Sequence, residues 1–285
     1  MIIFSNRAAQ HIAQPIQLPR GKCTIKTFAD GEIFVCIDED VSNKKVWVMA
    51  STRPPADNLM ELFFLLDALQ RSGASVNVCI IYFAYARQIL ASPGEAESAQ
   101  VICNIFKNFD IKQLLIIHPH TLLLQNYLSF KPIYDLDFFC EQARDYDAIA
   151  APDEGAFAFA QKVAQTCNKT LIAITKTRHA QEAVKIISVD GHVPAKKILL
   201  VDDMISTGHT LVAAATELKK QGAHTISAAA THGLFAPGSQ ELIEQSILKH
   251  VYVSNTVAQQ SQGKITVVDI SATLGKIMSE HSSQS

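Results

Sequence analysis

The 285-residue chain reads as an α/β protein of two tandem domains, each a mainly parallel sheet flanked by helices. Three observations carry that reading. Apolar, β-rich runs alternate with stretches of helical spacing. The strands are almost continuously apolar, as strands covered on both faces must be. The pattern breaks around residues 129–144 and then restarts, which predicts domains over residues 1–142 and 143–285.

The first run supplies strands in "MIIFSN", "CTIKTF", "EIFVCI" and "KVWVMAS". A helix follows in "DNLMELFFLLDALQRSG", with Asp57 expected as its N-cap and Gly73 just past its end. "VNVCIIYF" is a strand, "EAESAQVICNIFKNF" a helix and "QLLIIHP" a strand. After the loop-like 129–144 segment come the strand "YDAIAAPD", the helix "GAFAFAQKVAQTC" and the strands "TLIAIT" and "KILLVDD". A helix spans His209 to Gly222, and "TISAAATH", "HVYVSN" and "KITVVDI" complete the strands. The polar tail "MSEHSSQS" is expected to fray.

A formal charge of −2 gives no global attraction to nucleic acid or an anionic membrane. No apolar run nears the ~18 residues of a membrane span, and the N-terminus lacks the basic lead of a signal peptide. Six scattered cysteines without a C-x-x-C are expected to be buried apolar side chains in a reducing cytoplasm. The expectation is a cytoplasmic protein without nucleic-acid or membrane partners.

In doubly wound sheets ligands bind beyond the carboxyl ends of the strands. There, "ILLV" runs into Asp202 and Asp203, followed by "MISTGHT" and a helix. The bland explanation is helix capping, which aspartate does routinely. Several residues separate the pair from the helix, however. Ser206, Thr207 and Thr210 supply hydroxyls, Gly208 lets the backbone approach an anion, and the helix start offers free N–H groups. Carboxylates beside such a cradle suit a sugar phosphate, whose hydroxyls they would accept.

This loop resembles the ribose-phosphate loop of the phosphoribosyltransferase-type fold. The ordered set "FADGEIFVCIDEDV", "DNLMELFFLLDAL", "YFAYARQ", "HPH", "APDEGAFAFA", "KTR", "VDDMISTGHT" and "THGLF" is similar to the ribose-phosphate pyrophosphokinases over almost the whole chain. It looks closest to the short archaeal-type members. The resemblance implies two tandem phosphoribosyltransferase-type domains. It implies transfer of the β,γ-diphosphoryl group of ATP to the C1 hydroxyl of ribose 5-phosphate, with Mg²⁺ as cofactor.

Residue by residue, the resemblance gives Lys176 and Arg178 the stabilisation of the transferring group. It gives Phe28, Asp30, Glu32, Arg87 and Gln88 to ATP. Asp202, Asp203, Ser206, Thr207, Gly208 and Thr210 go to ribose 5-phosphate, and His120 and Asp153 to the metal. His118 receives no role. In the family the "FADGE" loop reaches a neighbouring subunit, which implies a homodimer or larger homo-oligomer.

Two departures stand out. Ile89, Leu90 and Ala91 occupy positions where the family carries an acid and two cations, and His209 replaces a glycine. They leave open a weakened or altered diphosphokinase, or a non-catalytic homologue that binds nucleotide or sugar phosphate and regulates a partner synthetase. A phosphoribosyltransferase would lack a use for the ATP-like set in the first half.

Overall fold

The computed structural model describes residues 1–176, 184–188 and 197–282. The chain forms two compact units. The first holds Met1–Tyr134, Thr256–Ala258 and the chain from Asp269 onward; the second holds Asp135–Asn255 and Gln259–Val268.

In the first unit the elements run β1 (Ile2–Ser5), α1 (Gln10–Ala13), β2 (Cys23–Thr27), β3 (Ile33–Ile37), β4 (Lys45–Ser51), α2 (Asp57–Arg71) and β5 (Ser75–Tyr82). Then come α3 (Ser98–Phe106), β6 (Ile111–Ile117) and β7 (Lys131–Ile133). Five strands form one parallel sheet in the order β1-β4-β5-β6-β7. Helix α2 buries Leu59, Leu62, Phe63, Leu66 and Leu69, a three-and-four spacing that lays one face on the sheet. Phe63 meets Phe106 edge-on at 5.3 Å and stacks on Phe109 at 5.6 Å, closing the core between α2 and α3. Its N-cap is Ala56, so Asp57 lies inside the first turn, where its charge still opposes the helix dipole favourably.

Strands β2 and β3 stand apart as an antiparallel hairpin, with Lys26 opposite Phe34. One face, with Cys23, Val35 and Ile37, packs on the core. The alternate residues, including Lys26 and Phe34, are exposed, as the two-residue period of a strand requires.

The second unit contains α4 (Leu136–Gln142), β8 (Ala148–Ala151), α5 (Phe157–Thr166), β9 (Thr170–Lys176), β10 (Val184–Ser188) and β11 (Lys197–Ile205). It continues with α6 (His209–Lys220), β12 (Thr225–Gly233), α7 (Ser239–Gln245), β13 (Val251–Ser254) and β14 (Ile265–Val268). The sheet order is β10-β9-β8-β11-β12-β13-β14, parallel throughout except for the antiparallel edge strand β10. Apolar side chains of β8, β11, β12, β13 and α6 form its core.

Several expectations change. The 129–144 segment holds β7 and α4, and the units divide at Tyr134/Asp135 rather than near residue 142. The acid that starts α4 is Asp135, whose carboxylate accepts from the Phe138 amide at 3.1 Å. The tail is helical to Ser282 as α8 (Ser271–Ser282), which belongs to the first unit. Trp47 Nε1 donates to Ser282 Oγ at 2.7 Å, and Gln113 Nε2 donates to the His281 carbonyl at 3.2 Å. These bonds hold the polar tail against the sheet. Cys140 and Cys167 form a disulfide between α4 and the end of α5, whereas Cys23, Cys36, Cys79 and Cys103 are thiols.

Candidate active site

In the second unit, the strand ends gather three carboxylates. On one side β11 pairs with β8 as far as Leu200, and on the other it stays bonded to β12 as far as Ile205. Asp202 and Asp203 therefore sit within a strand that outruns one neighbour, rather than beyond its end. Asp203 N–H donates to Asp202 Oδ1 at 2.8 Å. Burial, then the Asp203 charge and a side-chain hydrogen bond between the two carboxyls, push Asp202 well above the usual carboxylate range. Asp153, two residues past β8, adds to that rise, while its Oδ1 accepts from the Ala156 amide at 3.1 Å.

The loop from β11 to α6 is built by backbone bonds. Leu234 N–H donates to the Ile205 carbonyl at 2.8 Å and Ala236 N–H to the Ser206 carbonyl at 3.0 Å. Gly208 is the N-cap of α6 at φ +79°, a left-handed conformation that disfavours any Cβ. Thr207, His209 and Thr210 are exposed and Ser206 is half-buried. His209 is the first helical residue, so the helix starts with the side chain that replaces the family glycine. The first-turn amides of α6 are free for an anion by the geometry of any helix start.

Lys176 ends β9, the strand beside β8, so its backbone lies in the same row of strand ends as Asp153. Arg178 lies outside the described residues.

In the first unit, His120 is exposed three residues after β6. His118 is buried with a left-handed backbone (φ 38°), and its ring meets Tyr134 edge-on at 5.1 Å. Its amide donates to the Ile133 carbonyl at 2.8 Å. Beyond β5, Arg87 and Gln88 are exposed, and Gln88 Oε1 accepts from Ser98 Oγ at 2.7 Å. The departures there split: Ile89 is a core residue, while Leu90 is 79% exposed.

The hairpin tip closes on itself. Phe28 N–H donates to the Glu32 carbonyl at 2.8 Å, Glu32 N–H to Asp30 Oδ1 at 3.1 Å, and Gly31 turns at φ +96°. Asp30 and Glu32 are exposed, and Phe28 is 45% exposed. Two residues outside the sequence-derived set shape it. Lys26 Nζ lies 5.0 Å from the Phe28 ring centre and 4.7 Å from that of Phe34, and the two rings meet edge-on at 5.8 Å. Alternation along the hairpin, with Lys26 and Phe28 two apart and Phe34 opposite Lys26, was the sequence signal for this cluster.

Among the described residues no three His, Cys, Asp or Glu side chains converge into a metal site of their own. The oxygen donors of Asp153 suit Mg²⁺, which binds through one or two carboxylates and shares substrate phosphates.

The fold defines a protein of two phosphoribosyltransferase-type α/β units. A model described as the N-terminal domain of ribose phosphate pyrophosphokinase matches residues 2–109, and one for a phosphoribosyl synthetase-associated domain matches residues 153–283. The chain is 32% identical to ribose-phosphate pyrophosphokinase 2 of Enterococcus faecalis, over 93% of this chain and 86% of that one. It is 30% identical to the ribose-phosphate pyrophosphokinase of Thermotoga maritima, over 97% and 93%. The phosphoribosylpyrophosphate synthetase of Mycobacterium smegmatis superposes with a TM-score of 0.88 at 27% identity, over 100% and 99% of the two chains. The chain belongs to the ribose-phosphate pyrophosphokinase family.

Proposed function

We propose that this chain transfers the β,γ-diphosphoryl group of ATP to the C1 hydroxyl of ribose 5-phosphate. The sugar oxygen bonds to the β-phosphorus, the bond from that phosphorus to the α,β-bridging oxygen breaks, and AMP leaves. The observation that carries the reading is the Asp202–Asp203 pair on a strand that outruns its neighbour, followed by a glycine-capped helix start. Asp202 and Asp203 accept ribose hydroxyls, while Ser206, Thr207, Gly208 and Thr210 surround the 5-phosphate with donors.

Phe28, Asp30, Glu32, Arg87 and Gln88 receive ATP, with the exposed ring of Phe28 offering a face for adenine. Lys176 and Arg178 offset charge on the transferring group, the usual means of catalysing phosphoryl transfer. The ligands the family resemblance assigns to Mg²⁺ are Asp153 in the second unit and His120 in the first. Bound there, the ion would neutralise phosphate charge.

Assembly as a homodimer or larger, through the hairpin loop, belongs to the same reading. So does a cytoplasmic location. The exposed Leu90 favours a second reading, a homologue that binds these ligands without transfer and regulates a partner synthetase.

A coupled assay for AMP from ATP, Mg²⁺ and ribose 5-phosphate decides between them. AMP formed only with the sugar present establishes the transfer. Folded, ligand-binding protein that forms none makes the regulatory reading the right one.

A further inference from the structure

The hairpin tip is not held only by its own turn. Glu61 on α2 is a carboxylate 1% exposed among the apolar residues of that helix. Its Oε2 accepts from the Arg7 backbone amide at 2.9 Å, and its Oε1 pairs with Arg7 Nε. Both oxygens are thus taken by one residue, and the guanidinium is fixed in direction. A second nitrogen of that guanidinium, Nη2, donates to Thr27 Oγ1 at 3.0 Å. Thr27 is the last residue of β2 and precedes Phe28.

The inner end of this chain of contacts is itself anchored. Asn6, fully buried, donates from Nδ2 to the carbonyls of Ser51 and Asn58 at 2.9 Å each, and its Oδ1 accepts from the Ser51 amide at 3.2 Å. Asn6 therefore joins the end of β4 to the first turn of α2, directly before Arg7. A buried acid with both oxygens committed needs such support, because losing its partner would leave a charge in the core.

We infer that Arg7, oriented by Glu61, is a positioning residue for the nucleotide: it braces the hairpin at Thr27 and so sets where the Phe28 ring stands. The inference rests on the proposed role of Phe28 at the base of ATP. Hairpins of two strands are marginal by themselves, so an outside bond at the strand end limits how far the tip swings. Arg7 and Thr27 touch no substrate in this account. Their effect falls on ATP and not on ribose 5-phosphate.

The test compares Thr27→Val, Thr27→Ser, Arg7→Lys and Phe28→Leu in steady-state AMP formation, together with thermal midpoints. Thr27→Val keeps the branched shape and loses the acceptor; Arg7→Lys keeps the charge beside Glu61 and loses the second arm. Both raise KM for ATP roughly three- to tenfold, the value of one ordinary solvent-exposed hydrogen bond. KM for ribose 5-phosphate, kcat and the thermal midpoint stay near wild type, and Thr27→Ser restores KM. If Phe28→Leu raises KM for ATP while Thr27→Val and Arg7→Lys do not, the brace is wrong and the nucleotide role of the hairpin stands. If Phe28→Leu leaves it unchanged, that role falls and the inference with it. Equal rises in both KM values with a lowered midpoint would mark a merely structural bond and overturn the inference.

Discussion

Asp203 donates its backbone amide to Oδ1 of Asp202, which places two carboxyls from one strand within mutual influence. Successive strand residues face opposite sides of a sheet, so this closeness is achieved by the first side chain curling back to the next residue's amide. Asp202 then bears burial and a like charge together, and both raise its pKa.

That direction has a consequence for stability. A carboxyl with a raised folded pKa keeps its proton where the unfolded chain has lost it. Its favourable contribution is complete below the unfolded value and is lost as pH rises through the folded one. Asp202→Asn removes the penalty, so it should raise stability at neutral pH by roughly 0.5–2 kcal/mol, read as a higher thermal midpoint, and leave the midpoint unchanged near pH 3, about one unit below the ordinary aspartate value. Melting curves across pH check this. An equal gain at every pH would assign the effect to packing.

Lys176 ends β9 in the row of strand ends that carries Asp153. If its ammonium acts on the transferring phosphates, Lys176→Ala lowers kcat by about 10²–10³, the range for removing one preorganised donor. Affinity for ribose 5-phosphate, measured by calorimetry, stays within about twofold. Unchanged turnover would take Lys176 out of the mechanism.

The fold class was legible because parallel strands are covered on both faces and so carry long apolar runs, Val46–Ala50 in β4, Val78–Tyr82 in β5 and Ile198–Val201 in β11. Helix α6 announced itself through Gly208 and the hydroxyl residues around it. Short elements whose stability comes from tertiary packing were not legible. Strand β7 has three residues, and α8 ends in polar residues held by Trp47 and Gln113, partners more than 160 positions away. The loop between β11 and α6 could be placed because its glycine and hydroxyl residues are adjacent in the sequence. The Glu61–Arg7–Thr27 chain could not, since 54 and 20 residues separate its partners and nothing in "MEL" or "SNR" marks a buried ion pair. Likewise the Cys140–Cys167 pairing depends on how α4 meets α5.

That disulfide closes a loop with a sequence separation of 27. A loop of this length restricts the unfolded chain by about 3–4 kcal/mol in the chain-entropy account. Cys140→Ser should therefore lower the thermal midpoint of air-oxidised protein and change it little when both proteins are measured in excess dithiothreitol. A shift of equal size with and without reductant would mean that the serine costs packing and that the bridge adds nothing.

His118 presents a sharper case, because two explanations of one buried side chain predict opposite orders. Its backbone lies at φ 38°, a region costly for most side chains and tolerated best, after glycine, by asparagine, aspartate and histidine. Its ring also packs against Tyr134. If packing governs, valine serves better than asparagine at a site this buried. If the backbone governs, asparagine serves better, since a β-branched residue at positive φ is an outlier. The amide of His118 is spent on the Ile133 carbonyl, so the turn cannot relax without breaking the junction between β6 and β7. The backbone therefore decides: His118→Val should cost roughly 1–3 kcal/mol, and His118→Asn about 1 kcal/mol, the lost edge-on contact. Denaturant melts of the two variants give the order directly, and valine proving the more stable would show that the ring contact, not the turn, keeps histidine at this position.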